Sequence, residues 1–304
     1  MEFFKSNTNI DFMGQRVYAA IFSVLLCAFS LGALIVNGLN LGLDFTGGTQ
    51  LEVSYPAAAD LNLIREQLSG AGFQDAIVQA YGTSKDVLIR ISSQPNANQE
   101  QIKARMLKVL PGATLRQVEY IGAQVGKTLI TNGVLAILVS LLGTMLYIAL
   151  RFEYRFAISA AVALIHDPIL ILGVFAFFGI EFNLIALAAI LTIIGYSLND
   201  TIVVYDRVRE NFRRVRKASA TDIMNLSINQ TLSRTIMTSG LTLLVVISLF
   251  IFGGEMLRGF SLALIIGIVV GTYSSIYVAG SLAVAMGLDR KHLLPQARPI
   301  DDHP

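Results

Sequence analysis

Six long apolar stretches divide this 304-residue chain: Val17 to Val36, Leu129 to Leu150, Phe156 to Ile180, Leu184 to Val204, Thr235 to Phe252 and Phe260 to Met286. Crossing about 30 Å of hydrocarbon takes roughly 20 helical residues, and each stretch is of that order. Inside lipid every backbone N–H and C=O has to be satisfied within the segment or by a closed neighbour, which makes runs of this kind α-helices. With 54% hydrophobic and 14% charged residues, the chain is excluded from the ordinary soluble class. The expected fold class is an α-helical polytopic membrane protein with six transmembrane helices. The first stretch is longer than the apolar region of a signal peptide, and the following "NGLNLGLD" offers no small-residue cleavage site, so it is expected to stay as an anchor. One cysteine, Cys27, rules out an intrachain disulfide.

Cationic residues near span ends set orientation. Between the fourth and fifth stretches, Asp206 to Lys217 holds six Arg or Lys against Asp206 and Glu210. The loop Arg151 to Arg155 is net positive, and Arg290 and Lys291 follow the last stretch. The alternate loops hold Glu181 alone, and Glu255 with Arg258. Both termini are therefore expected on the cytoplasmic side. The basic run reads as an orientation signal touching lipid headgroups; no nucleic acid is expected as a partner.

The segment between the first two stretches is long enough for one small domain, with eight acids and eight bases from Asp44 to Lys127. "QLEVSY" alternates as a strand. Asp60 can cap a helix whose Leu61, Ile64 and Leu68 share a face before Gly70 ends it. "AIVQAY" and "DVLIRI" read as a hairpin joined by Gly82 to Lys85. Asn98 with Gln101 resembles a capping box before a helix bearing Ile102, Met106 and Val109, and "TLRQVEYI" supplies a last strand. The order βαββαβ is that of an α+β ferredoxin-like domain. It holds no His or Cys, so a surface that contacts another polypeptide is expected there rather than catalysis or metal binding.

The junction "LDFTGG" is, as bare chemistry, a turn at the membrane edge, with Asp44 and Thr46 able to bond it locally. As a string, Asp44, Phe45, Thr46, Gly47 and Gly48 just after a first span resemble the SecD/SecF family of Sec-translocase accessory subunits, within the RND superfamily. "RFEYRFA" at Arg151, "ALIHD" at Ala163, "IGYSLNDTIVVYDRVREN" at Ile194, "NQTLSRTIMTSG" at Asn229 and "LRGFSLALIIGIVVGTYSS" at Leu257 are similar to successive motifs of that family. Six spans with one modest outer domain match its SecF members. Two positions depart from the pattern: Ala123 stands where Pro is expected, and Pro168 stands where an aliphatic residue is usual and is expected to bend span three near Leu164. The resemblance implies a bacterial inner-membrane protein divided into a cytoplasmic N-terminus with helix 1 (1–37), a periplasmic ferredoxin-like domain (38–127), helices 2–6 (128–288) and a cytoplasmic tail (289–304). It also implies SecD, the SecYEG translocon and a translocating precursor polypeptide as partners, beside membrane lipids, and proton motive force as the energy source, with H+ as coupling ion and no cofactor.

Only His166, Asp167, Asp200 and Arg234 are ionisable within or at the edge of the spans. A carboxylate at such a depth costs about 2.5 to 3.5 kcal/mol on insertion scales, so a retained one is a functional candidate. Tyr196 and Thr192 precede Asp200 at i−4 steps, and Thr231, Arg234, Thr238 and Thr242 share a face of span five. If those faces meet, Asp200 and Arg234 pair. Burial favours the neutral carboxyl and a nearby cation favours the ionised one, so a small change in geometry can poise protonation. Chemistry alone leaves a proton relay and a static ion pair equal; the resemblance, whose proton-coupling residues match Asp200 and Arg234, favours the relay. His166–Asp167, with Tyr196 and Thr238, is possible support. Gly267, Gly271 and Ser275 read as a small-residue face for close helix contact. The chain is not expected to be an enzyme: Asp167 and Asp200 as an intramembrane aspartyl protease dyad would have to share a proton, which a nearby Arg opposes. An RND-type exporter of small solutes or lipids is the alternative with the same relay.

Overall fold

The computed structural model describes residues 8–92, 99–215 and 217–289. From the N-terminus, α1 (Arg16–Asn37) leads through a two-residue strand β1 (Asn40–Leu41) and one helical turn α2 (Leu43–Thr46) into the outer domain. That domain comprises β2 (Gly48–Ser54), α3 (Leu61–Gly70), β3 (Ile77–Tyr81), β4 (Thr83–Ile91), α4 (Gln99–Val109) and β5 (Thr114–Ile121). There follow α5 (Ala123–Arg151), α6 (Tyr154–Phe178), the short strand β6 (Glu181–Phe182), α7 (Leu184–Arg214), α8 (Ala220–Phe252) and α9 (Gly254–Tyr273), the last continuing as a π-helix over Ser274–Ala279 into α10 (Gly280–Ala285). Six of these segments are long and apolar enough to span a membrane.

The outer domain has the predicted βαββαβ order. Its sheet runs β3-β4-β2-β5 with every neighbour antiparallel. One face, carrying Leu51, Val53, Val78, Val87 and Ile89, packs on Ile64 and Leu68 of α3 and on Ile102 and Met106 of α4. Asp60 caps α3 by accepting from the amides of Asn62 and Leu63. Two local expectations are adjusted. Gly70 is the last helical residue, with Ala71 as C-cap. The β3–β4 turn is tighter than four residues, because β4 already begins at Thr83 and Gly82 alone, at φ +69°, turns the chain. Asn98 lies outside the described residues, so the capping box falls there too.

In the membrane half, α7 and α8 outrun their apolar stretches. Helix α7 continues ten residues past Val204, burying Val208, Asn211 and Phe212, and α8 starts at a capping box in which Ser219 and Asp222 exchange side-chain bonds with each other's amides. Hydropathy marks only the part of a helix that needs lipid; capping and one-sided burial extend it into water. Helix α6 is unbroken through the buried Pro168. The core between α6, α7 and α9 is anchored by Phe156, Ile171, Phe175, Ile190, Ile193 and Tyr205. Gly267 backs onto Ile193, where a Cβ would collide with the facing side chain, and Gly271 onto Ser197, where a Cβ would be tight. The small-residue face thus lets α9 approach α7 closely.

Candidate functional site in the membrane half

Helix α7 brings Asp200 to the interior, where it is 4% exposed. Its Oδ2 accepts a hydrogen bond from Ser239 Oγ of α8 at 3.4 Å. Ser239 Oγ is also 2.9 Å from Thr272 Oγ1 of α9, and the Tyr196 hydroxyl lies 3.5 Å from both Ser239 Oγ and Thr242 Oγ1. Asp200 therefore sits at the meeting of three helices, held by a chain of hydroxyls.

The predicted Asp200–Arg234 pair is not formed: among the described residues no ion pair joins them, and Arg234 is exposed. Five residues separate Arg234 from Ser239, about 140° around a helix, so the turn that aims Ser239 at Asp200 aims Arg234 away. The inward stripe of α8 is Thr231, Thr235 and Ser239, all buried, followed by Thr242; Arg234 and Thr238 belong to the neighbouring face, and Thr238 bonds only the carbonyls of Arg234 and Thr235. Thr192 is exposed and bonds the Ala188 carbonyl. Both stripes have helical spacing, and the hydroxyls at 235 and 239 were the signal for the one that faces in.

His166 and Asp167 form a second buried cluster. Asp167 Oδ1 lies 2.9 Å from His166 Nδ1, while its Oδ2 accepts from Ser197 Oγ at 2.6 Å and from Ser274 Oγ at 2.9 Å. His166 Nε2 is buried without a hydrogen-bond partner among the described residues, and the His166 ring stacks at 6.4 Å on Tyr273, whose hydroxyl donates to the Ala19 carbonyl. Asp167 and Asp200 share no hydrogen bond; each has its own donors, so the arrangement is not that of a proton-sharing dyad. No three His, Cys, Asp or Glu side chains among the described residues converge as metal ligands.

A third polar region joins the outer domain to the helices. Strands β1 and β6 pair in parallel, Asn40 with Glu181 and Leu41 with Phe182. Asp44 does not bond its own turn; its Oδ2 accepts from the Leu184 amide at 2.9 Å and so caps the start of α7, while Thr46 Oγ1 donates locally to the Gly42 carbonyl. Phe45 stacks on Phe182. Gly47, at φ +67°, and Gly126 allow the α2 turn to lie directly against the start of α5, where a Cβ on either would strike backbone. Arg90 of β4 is paired with Glu181 at 2.6 Å. Burial pushes the Glu181 carboxyl above the usual carboxylate range, Arg90 pulls it down, and Asp44 and Glu119 add to the rise.

Known proteins share nearly the whole of this chain, the seam included. Residues 101–289 match the family model described as "Protein export membrane protein SecD/SecF, C-terminal", and residues 32–55 match the SecD/SecF GG motif. The chain belongs to the SecD/SecF family. Its relatives place it in the SecF branch: it is 48% identical to protein translocase subunit SecF of Vibrio alginolyticus, covering 96% of this chain and 94% of that one, and 46% identical to the SecF of Pseudomonas aeruginosa over 97% and 98%. The crystal structure of SecDF, a translocon-associated membrane protein from Thermus thermophilus, superposes with a TM-score of 0.85 at 37% identity, over 93% of this chain and 39% of that one. The SecF-family chain thus spans well under half of that SecDF polypeptide. The GG motif of the family covers Asp44 to Gly48, and the seam gives its glycines a physical reason: backbone of α2 and backbone of α5 touch there.

Proposed function

We propose that this SecF-family subunit moves protons through Asp200 and couples that movement to late steps of protein export through SecYEG, in complex with SecD, in the bacterial inner membrane. Its termini are cytoplasmic and its outer domain periplasmic, where the domain meets the precursor polypeptide. What supports the proton role is one observation: a carboxyl buried in the membrane half with, among the described residues, a single long hydroxyl bond and no ion-paired cation. A permanently ionised group there would lack the partners that burial demands. The coupling ion is H+, and no cofactor takes part. Arg234 serves as the counter-charge in a second arrangement, reached by rotation of α8 or extension of its side chain. One charge crossing 100 mV supplies about 2.3 kcal/mol, enough to bias such a two-state equilibrium roughly fiftyfold.

Replacing Asp200 with Asn keeps shape and hydrogen bonding but fixes the neutral state. Asp200→Asn is expected to reach the membrane at normal abundance and to lose the part of precursor export that depends on proton motive force. Arg234→Met is expected to resemble it. A structural pair predicts instead that the double variant recovers both abundance and export, and restored export there would falsify the relay.

Orientation is tested in a chain lacking Cys27. A cysteine at Ser84 is expected to react with an impermeant thiol reagent added outside and one at Ser219 to be protected; the opposite pattern overturns the proposed topology.

A further inference from the structure

The clusters around Asp167 and Asp200 share no hydrogen bond, yet both are tied to the same stretch of α9. On one side Thr272 Oγ1 meets Ser239 Oγ, the hydroxyl that donates to Asp200. On the other, two residues later, Ser274 Oγ donates to Asp167. Just before Thr272, Gly271 packs against Ser197 of α7, which also donates to Asp167 and lies one helical turn before Asp200. Asp167, 1% exposed, thereby holds two of the three helices that meet at Asp200: α7, which carries it, through Ser197, and the continuation of α9 through Ser274.

The stretch where these bonds converge is irregular. At Ser274 the helix changes from α to π and stays so to Ala279. A π segment is rare, occurs mostly as a single-turn bulge inside an α-helix, and is frequent at functional sites. Asp167 fastens the first residue of this segment.

We propose that Asp167 is a positioning residue for Asp200, acting through Ser274 and the π turn of α9. It fixes where Thr272 stands and hence how Ser239 is presented to Asp200. The inference rests on Asp200 being the proton-carrying group and adds a second carboxyl that sets its surroundings without carrying the proton itself. The ionisable groups near the pair are Arg234 from α8 and Tyr196 from α7 around Asp200, and His166 from α6, Cys27 from α1 and Tyr273 from α9 around Asp167.

The test is the pH profile of Asp200 labelling by dicyclohexylcarbodiimide, which reacts with protonated carboxyls in membranes. The full chain is labelled in membrane vesicles and the modified residue located by mass spectrometry. Ser274→Ala alters no charge and cuts the link from Asp167 to α9; it is expected to move the labelling midpoint by about one pH unit, a tenfold change in proton affinity. Ser281→Ala, which removes a buried hydroxyl of the adjoining α10 that has no hydrogen-bond partner among the described residues, is expected to leave the midpoint in place. In the Asp167→Asn background Ser274→Ala is expected to add no further shift, because both changes act through one bond. A midpoint unmoved by Ser274→Ala, an equal shift in Ser281→Ala, or fully additive shifts in the double variant overturns the inference while leaving the proton role of Asp200 standing. Labelling of wild-type Asp200 that does not vary with pH removes that role, and the inference with it. If Asp167→Asn does not accumulate, the comparison of Ser274→Ala with Ser281→Ala decides alone.

Discussion

Helices α6, α7 and α9 have about half of their apolar windows buried, 56%, 50% and 50%, while α1, α5 and α8 bury 11%, 11% and 17%. The mean hydropathies of the two sets are close but do not overlap, 2.1, 1.7 and 2.0 against 2.5, 2.3 and 2.2. All six are apolar enough to span, and the central three are the slightly less apolar ones. What separates the sets is the distribution of small and polar residues. Ser159, Asp167, Ser197, Asp200, Gly267, Gly271 and Ser274 lie on the central helices, whereas α5 turns Leu138, Val139 and Leu142 outward. Lipid tails are as apolar as leucine, so nothing hydrophobic drives one span onto another; close approach and interhelical hydrogen bonds do, and those are the features the central three possess.

That contrast is most exposed to test at its glycines. Leucine at Gly267 would occupy the space of Ile193, and overpacking of this kind costs about 1 to 3 kcal/mol or more. Gly267→Leu is expected to reduce the amount of folded protein in the membrane, while Gly143→Leu on α5, where nothing lies within 4 Å, leaves it unchanged. Equal behaviour of the two, measured by protease resistance of the membrane-inserted chain, would erase the distinction. A smaller effect is expected from hydroxyl removal. Tyr205 bonds Ser159 at 2.6 Å and the Ala279 carbonyl at 3.2 Å, tying α7 to α6 and to the π segment. Tyr205→Phe is expected to lower stability by about 1 kcal/mol, whereas Tyr147→Phe, half exposed on α5, moves it by less than about 0.5 kcal/mol. Unfolding in bicelles, read for both variants, compares them directly.

The sequence made the number of helices and the strand order of the outer domain legible, because lipid thickness and alternation act locally. It singled out Asp200, which the fold buries, and the small-residue face of α9 for the same reason: each is a departure visible within one helix. What it did not reveal depends on how helices are turned against one another. Spacing identified a polar stripe through Arg234 on α8 but carried no record of its rotation, and the parallel stripe through Ser239 is the one that meets Asp200. Asp44 is a second case. Its residue type suits a local turn, and only the fold brings the Leu184 amide to it across 140 positions. The start of α8, in contrast, was written locally in Ser219 and Asp222 and lay outside a search for apolar runs.

The pairing of Gly48 with Ile121, at the first position of β2 and the last of β5, has a topological consequence. The chain leaves the membrane half and returns to it at two points one interstrand spacing apart, about 4.8 Å. Seen from the helices, the outer domain is an insertion and not a link: a turn of two residues closes the same gap. The path from α1 to α5 is thus continuous without the seventy-odd residues between, and the domain can differ in size or sequence from one chain to another while the six helices keep their connection.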